Sequence, residues 1–305
     1  MRTVKLFSVI ILCSSILSCN NGTPSDAAAD PLYATVPSIA SCTAGALSDI
    51  EKQKILTYIN SIRTAHKLPL VEYDSKKDAI AQDAALIGAA NADISNEITE
   101  TDFCYSPNAA QACREGDRSL WGSATAKWPT SEIHVNDWMT DSASINCRRR
   151  ILDPFLKSIT FGRIIGTPKR GDYKYVSSAM LVTGYGSVDL SDYDIPYIAY
   201  PEGVCEAKLF DANSFLSFSV LYDKYNKSNN GVSNINFSET TVEVSAGSQS
   251  LEIVGVYDYN NYGLPNSIQW KVSPELTKSV TYTVKINNVI VAGETKNYEY
   301  TFSFK

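Results

Sequence analysis

The stretch Ser48-Asp49-Ile50-Glu51-Lys52-Gln53-Lys54-Ile55-Leu56-Thr57-Tyr58-Ile59-Asn60-Ser61-Ile62-Arg63 decides how the first half of this chain is read. Ser48, with Glu51 three residues on, spells a capping box that starts a helix. Ile50, Ile55, Leu56, Ile59 and Ile62 then recur at helical spacing and give it one apolar side. The helix runs to about Ala65-His66-Lys67-Leu68-Pro69, where proline stops it.

Downstream, a second helix begins near Asp74 and carries Ala79, Ile80, Ala84, Leu86, Ile87 and Ala90, small residues that imply tight packing. Residues 91 to 129 read as loop and hold Cys104 and Cys113. A short helix over 131 to 141 follows, with Ile133, Val135, Trp138 and Met139. Two strands, 158 to 166 and 173 to 188, flank the turn Thr167-Pro168-Lys169-Arg170-Gly171-Asp172. Helices first and an antiparallel sheet later make an α+β layered domain, placed at 47–204. Beyond Cys205 the period changes to two, as in Leu216-Ser217-Phe218-Ser219-Val220, Thr281-Tyr282-Thr283-Val284 and Tyr298-Glu299-Tyr300-Thr301-Phe302. Such runs with turns between them predict an all-β sandwich over 205–305.

Upstream lies an export signal. Arg2 and Lys5 precede an apolar run over 6 to 13 that is too short to span a bilayer as a helix. The run closes on Ile16-Leu17-Ser18-Cys19, which resembles the lipobox of bacterial lipoproteins. The resemblance implies a signal peptide over 1–18 and a lipid chain (palmitate or its like) on Cys19. A plain signal cut nearby is the alternative. Residues 19–46, rich in Ala, Pro and Ser, read as a flexible tether that favours lipidation. The expected location is therefore the bacterial cell envelope, at the outer membrane or the exposed surface, exported and lipid-anchored.

With 27 Lys and Arg against 33 Asp and Glu, the net charge is −6. No basic cluster exists beyond Arg148-Arg149-Arg150, which argues against nucleic-acid binding. Those three adjacent arginines cannot share a direction, so one is expected in a buried salt bridge and two in solvent. Cys42, Cys104, Cys113, Cys147 and Cys205 remain for an oxidising compartment, predicting two disulfides and one leftover thiol of unreadable connectivity.

Asn60-Ser61-Ile62-Arg63, then Leu68-Pro69-Leu70, an alanine-rich helix, Trp138-Met139-Thr140-Asp141 and Arg148-Arg149-Arg150-Ile151-Leu152-Asp153-Pro154 occur in an order that resembles the CAP superfamily (cysteine-rich secretory, antigen 5 and pathogenesis-related proteins). The resemblance covers about residues 47 to 200. It implies a CAP-like α-β-α sandwich, with Asn60, Arg63, Trp138, Asp141, Arg148 and Pro154 as motif residues. The C-terminal part resembles the immunoglobulin-like domain appended to some bacterial members. The family cavity usually holds two histidines and two acidic residues that bind a divalent metal. Here Cys147 replaces the late histidine, and the segments 93 to 96 and 118 to 120 lack the other two ligands, leaving Asp141 alone. A zinc site wants three or four ligands, so no metal and no cofactor are expected.

His66, at a helix C-terminus, reads as a cation complementing the dipole. His134, one turn before Trp138, reads as a packing histidine. The one enzymatic arrangement the sequence permits joins Cys147 as nucleophile, His134 as base and Asp141 as its orienter, a hydrolase-like cleft. The favoured expectation is a non-enzymatic binding protein, held to a membrane by lipid, whose ligand is a lipid, a glycan or a partner protein. The Tyr-rich segments 222 to 230 and 257 to 262 read as loops suited to such contact.

Overall fold

The structure is a computed structural model that describes residues 32–123, 128–168, 173–183, 188–258 and 260–305. The signal over 1–18 and Cys19 lie outside the described residues. The chain is α+β, with a helical first half around a four-stranded sheet and an all-strand second half.

The first elements are β1 (Tyr33–Thr35), β2 (Ala46–Leu47) and α1 (Asp49–Ala65). Residues 32 to 46 are thus part of the folded body, which corrects that part of the tether expected over 19–46; its residues 20–31 lie outside the described residues. β1 pairs antiparallel with β2, and a Cys42–Cys104 disulfide ties the segment down. Ser48 caps α1, its Oγ accepting the Glu51 N–H at 3.2 Å, and Ile55, Ile59 and Ile62 are buried.

Next come β3 (Glu72–Tyr73), α2 (Asp78–Asn91), α3 (Pro107–Glu115), β4 (Asp117–Ser123), α4 (Ser131–Thr140) and α5 (Asn146–Ile151). β5 (Ser158–Gly166) and β6 (Lys174–Thr183) complete a sheet of order β3-β5-β6-β4, antiparallel except for β3 with β5. Besides the two-residue β3, three of these elements were not legible in the sequence. In α3 the buried positions are Ala109, Ala110, Ala112 and Cys113, too small to mark an apolar stripe. β4 buries Asp117, Arg118 and Ser119, so it shows no alternation. α5 is the arginine run itself.

The two faces of this sheet are packed separately. On one, α2 lays Ala81, Ala84 and Ala85 against Ile164, Ala179 and Leu181. A Cβ at Gly162 would lie 2.2 Å from the Ala81 carbonyl oxygen, so only glycine lets the helix come this close. On the other, Phe161 and Met180 join Ile55, Ile59, Val135, Trp138 and Phe155.

That second core continues without a break into the C-terminal half. Here the strands are β7 (Tyr197–Tyr200), β8 (Gly203–Cys205), β9 (Leu216–Val220), β10 (Ile235–Asn236), β11 (Thr241–Ala246), β12 (Gln249–Asp258), β13 (Ile268–Ser273), β14 (Thr281–Val291) and β15 (Glu294–Phe304). Their order is β7-β9-β13-β12-β11-β14-β15-β8, with β10 added on β14. β7 and β8 end this path yet are neighbours in the chain, so the sheet doubles over on itself. Inside the fold, Tyr197 and Phe218 of one layer meet Tyr298 and Tyr300 of the other at centroid distances of 5.1 to 6.4 Å. Because β7 pairs with β9, the changeover between the halves lies ahead of Tyr197 rather than at 204/205.

Candidate functional site

The motif residues form a set of polar pins. The Asn60 amide closes on Val71 with both ends, donating to its carbonyl at 2.9 Å and accepting its N–H at 2.8 Å. Arg63, fully buried, donates to the carbonyls of Pro69 at 2.8 Å, Ile151 at 2.6 Å and Asp153 at 2.9 Å. One guanidinium thereby joins the turn after α1 to the end of α5, where Asp153 Oδ1 accepts the Phe155 N–H beyond Pro154. Trp138 donates its indole N–H to the Arg118 carbonyl at 3.2 Å and meets Phe161 edge-on.

All three arginines of α5 are buried, which corrects the expectation of two in solvent. Arg148 donates to Ser214 Oγ at 3.2 Å and the Phe215 carbonyl at 2.7 Å, and lies over the Tyr200 ring. Arg149 donates to the carbonyls of Tyr262 and Leu264 and to Ser219 Oγ. Arg150 turns the other way, to Asp117 at 3.1 Å and the Glu115 carbonyl, with its guanidinium 3.9 Å from the Tyr262 ring centroid. A helix can seat three adjacent cations because its side chains radiate about 100° apart. Carbonyls, rather than carboxylates, satisfy most of the donors.

His134, Asp141 and Cys147 are not joined by hydrogen bonds. Asp141 caps the turn after α4, its Oδ1 accepting the N–H groups of Ala143 and Ser144. Cys147 is a free, half-buried thiol beside Asp117, and burial and that carboxylate push it far above the usual thiol range. His134 is fully buried, and burial and the Arg163 cation push it down to about 3. A thiol held protonated and an imidazole engaged elsewhere do not make a nucleophile and base.

The partner of His134 is one that sequence reading missed. Ser119 on β4 donates to Asp137 Oδ2 at 3.2 Å, and His134 Nδ1 stands 2.9 Å from Ser119 Oγ. The Trp121 indole N–H reaches the same Asp137 oxygen at 2.6 Å. With the serine proton on Asp137, His134 donates from Nδ1 and its Nε2 is a buried acceptor with no hydrogen-bond partner. Ser119, Ser178 and Arg163 form one row across the sheet beneath it. Arg163 donates to Ser131 Oγ at 3.0 Å, and Ser131 donates to Glu51. Glu51 therefore faces inward instead of completing the capping box. No signal in the sequence marks Ser119 or Asp137, because neither lies in a recurrent spacing.

The remaining candidates sit apart. Only Cys42 and Cys104 are bridged, with Cα atoms 5.1 Å apart, so the expected second disulfide is absent among the described residues. Cys113 is enclosed between α3 and α2, Cys147 lies against Asp117, and Cys205 on β8 faces Tyr200. These sites belong to different layers. His66 is buried too, and burial, then Arg148 and Arg63, push it down to about 4, so it is neutral rather than a dipole cation. Glu202 comes no nearer than 4.0 Å and does not offset this. Asp117 is pushed up to about 6 by burial, which outweighs the pull of Arg150.

Among the described residues, no three His, Cys, Asp or Glu side chains gather as a metal ion would need. No helix among them is long and apolar enough to cross a membrane. No protein-family model matches this chain, and no curated protein matches it.

Proposed function

We propose that this chain is an exported, lipid-anchored CAP-type lipoprotein acting as a non-enzymatic binding protein at the bacterial envelope. Its ligand is a lipid, a glycan or a partner protein. In this reading a CAP-like α-β-α sandwich is followed by an immunoglobulin-like sandwich, and the family's metal site is degenerate. Arg63 supports the CAP reading, since its single guanidinium, itself in the first motif, binds segments from two others on which the resemblance rests. Helices on both faces of the first sheet, and the doubled-over second sheet, fit the two layered domains.

The observation that carries the non-enzymatic reading is the engagement of His134 with Ser119 while Cys147 stays protonated beside Asp117. Two measurements on full-length protein purified from membranes test it. Mass spectrometry is expected to find a co-purifying lipid or glycan, or a bound protein. Ester and peptide turnover is expected to be absent. Turnover that vanishes in Cys147→Ala would instead establish the hydrolase-like alternative with Cys147, His134 and Asp141. Release of the Cys19→Ser variant from the membrane fraction tests the anchor.

A further inference from the structure

The C-terminal sheet leaves one strand half-finished. β12 pairs with β11 only through Gln249, Ser250 and Leu251. From Glu252 to Asp258 its partner is β13 alone, and no strand among the described residues pairs its other side. Backbone donors and acceptors along that side are open to a further strand, the condition for β-augmentation. The side chains there are apolar and out in solvent: Val254 is 47% exposed, Val256 42% and Tyr257 55%.

Gly255 interrupts this edge. It adopts φ +67°, the register slips between Val254 and Val256, and the Tyr257 ring lies so close that a Cβ would meet its hydroxyl at 2.5 Å. A bulge of this kind twists an edge and limits long, sheet-like stacking. It leaves room for a short segment rather than an endless one.

Charge selects among occupants. Exposed carboxylates, Glu252 and Asp258, stand at the two ends of the free edge. The nearest cation across the ladder, Lys271 opposite Val254, is turned over the Phe215 ring at 4.6 Å. A second copy pairing antiparallel about Gly255 would set Glu252 against Asp258 twice, and like charges directly opposite are destabilising. We infer that the free edge of β12, Glu252 to Asp258, docks a short extended segment of a partner protein, alternating in β-branched residues with a basic residue at each end. This inference stands on the sheet edge alone and does not depend on the CAP reading or on the anchor.

The probe is a fluorescent heptapeptide of alternating valine and threonine with lysine at both ends, beside the same peptide with glutamate ends. Fluorescence anisotropy with the full-length protein is expected to show the lysine form binding about tenfold or more tighter at low salt, the gap closing as salt screens the charges. Val254→Lys with Val256→Lys is expected to weaken the lysine form by about tenfold, since edge charges block strand addition. Should that double variant melt differently from the parent, Glu252→Lys with Asp258→Lys serves instead and is expected to reverse the preference. Equal binding of the two peptides, no binding of either, or binding unchanged by these variants overturns the inference. So does self-association that Val254→Lys abolishes, which would make a second copy the occupant.

Discussion

The two faces of the four-stranded sheet are sealed by opposite means. Against α2 the contact is made of alanines and glycine, and the backbones come close enough that Gly162 has no substitute. Against α1 and α4 the same strands present Arg163, Ser178 and Ser119, and ionisable groups are buried beside aliphatic ones. The first face is specified by volume and tolerates no addition. The second is specified by hydrogen bonds and tolerates no subtraction. Reactive-looking residues are therefore poor guides on the second face, because their chemistry is spent on holding neighbours in place.

The sharpest way to break this contrast is Arg63→Leu. It leaves the carbonyls of Pro69, Ile151 and Asp153 without their buried donor. Loss of about 2–5 kcal/mol is expected, at about 1–3 kcal/mol for each buried carbonyl left without a donor, read from the urea midpoint. On the other face, Gly162→Ala forces α2 away from β5 and is expected to cost about 1–3 kcal/mol by overpacking. If Arg63→Leu were the milder of the two, the polar face would not be the one governed by subtraction.

Ser119→Ala removes the bridge between His134 and Asp137, with an expected loss of about 1–2 kcal/mol from the unpaired buried groups. It should change stability without changing the fold, as judged by far-ultraviolet dichroism.

Acid sharpens the same point. His66 and His134 are held near 4 and 3, below the ordinary histidine value of 6.5, so the unfolded chain takes up protons that the native one refuses. Their contribution is complete above pH 6.5 and is lost as pH falls towards 4 and 3. Asp117, raised to about 6 from 3.8, works the other way, costing stability as pH rises between those values. The urea midpoint is expected to fall as pH drops below 6.5, and His134→Phe to flatten that fall. A profile steeper in the variant would contradict it.

The smallest effect concerns the thiol. Alkylation of Cys147 in the native protein at pH 8 is expected to be slow, and Asp117→Asn, which removes the carboxylate beside it, to speed it a few-fold. Peptide mapping with iodoacetamide reads each cysteine separately.

The dry parts of the fold were the legible ones. Ile55, Ile59 and Ile62 repeat at helical spacing, the short helix over 131 to 141 is found as α4, and the alternating runs after Cys205 become β9, β11, β12, β13, β14 and β15. These elements bury apolar side chains on one side, and periodicity records that directly. The candidate site was less legible. His134, Asp141 and Cys147 were each visible as residue types, but Ser119 and Asp117, beside His134 and Cys147, are set by tertiary approach, while Asp141 is taken up by the local turn at Ala143 and Ser144. Arg148 and Arg149 show the same limit, since a buried arginine facing carbonyls leaves no complementary charge in the sequence to find.

Those two arginines also impose an order in time. Apart from the Met139 carbonyl behind Arg148, their acceptors, Ser214 and Phe215 for one and Ser219, Tyr262, Leu264 and Asn266 for the other, lie 66 to 117 residues further along the chain. During synthesis the first half emerges with two cations poised for partners that do not yet exist. Closure across so long a separation comes late, because the loop entropy precedes the reward. Until residue 264 has been made, the first half is an unfinished surface, open to proteases and to chaperones. A stop codon anywhere before Leu264 would therefore be expected to cost the cell both halves, and not only the one it deletes.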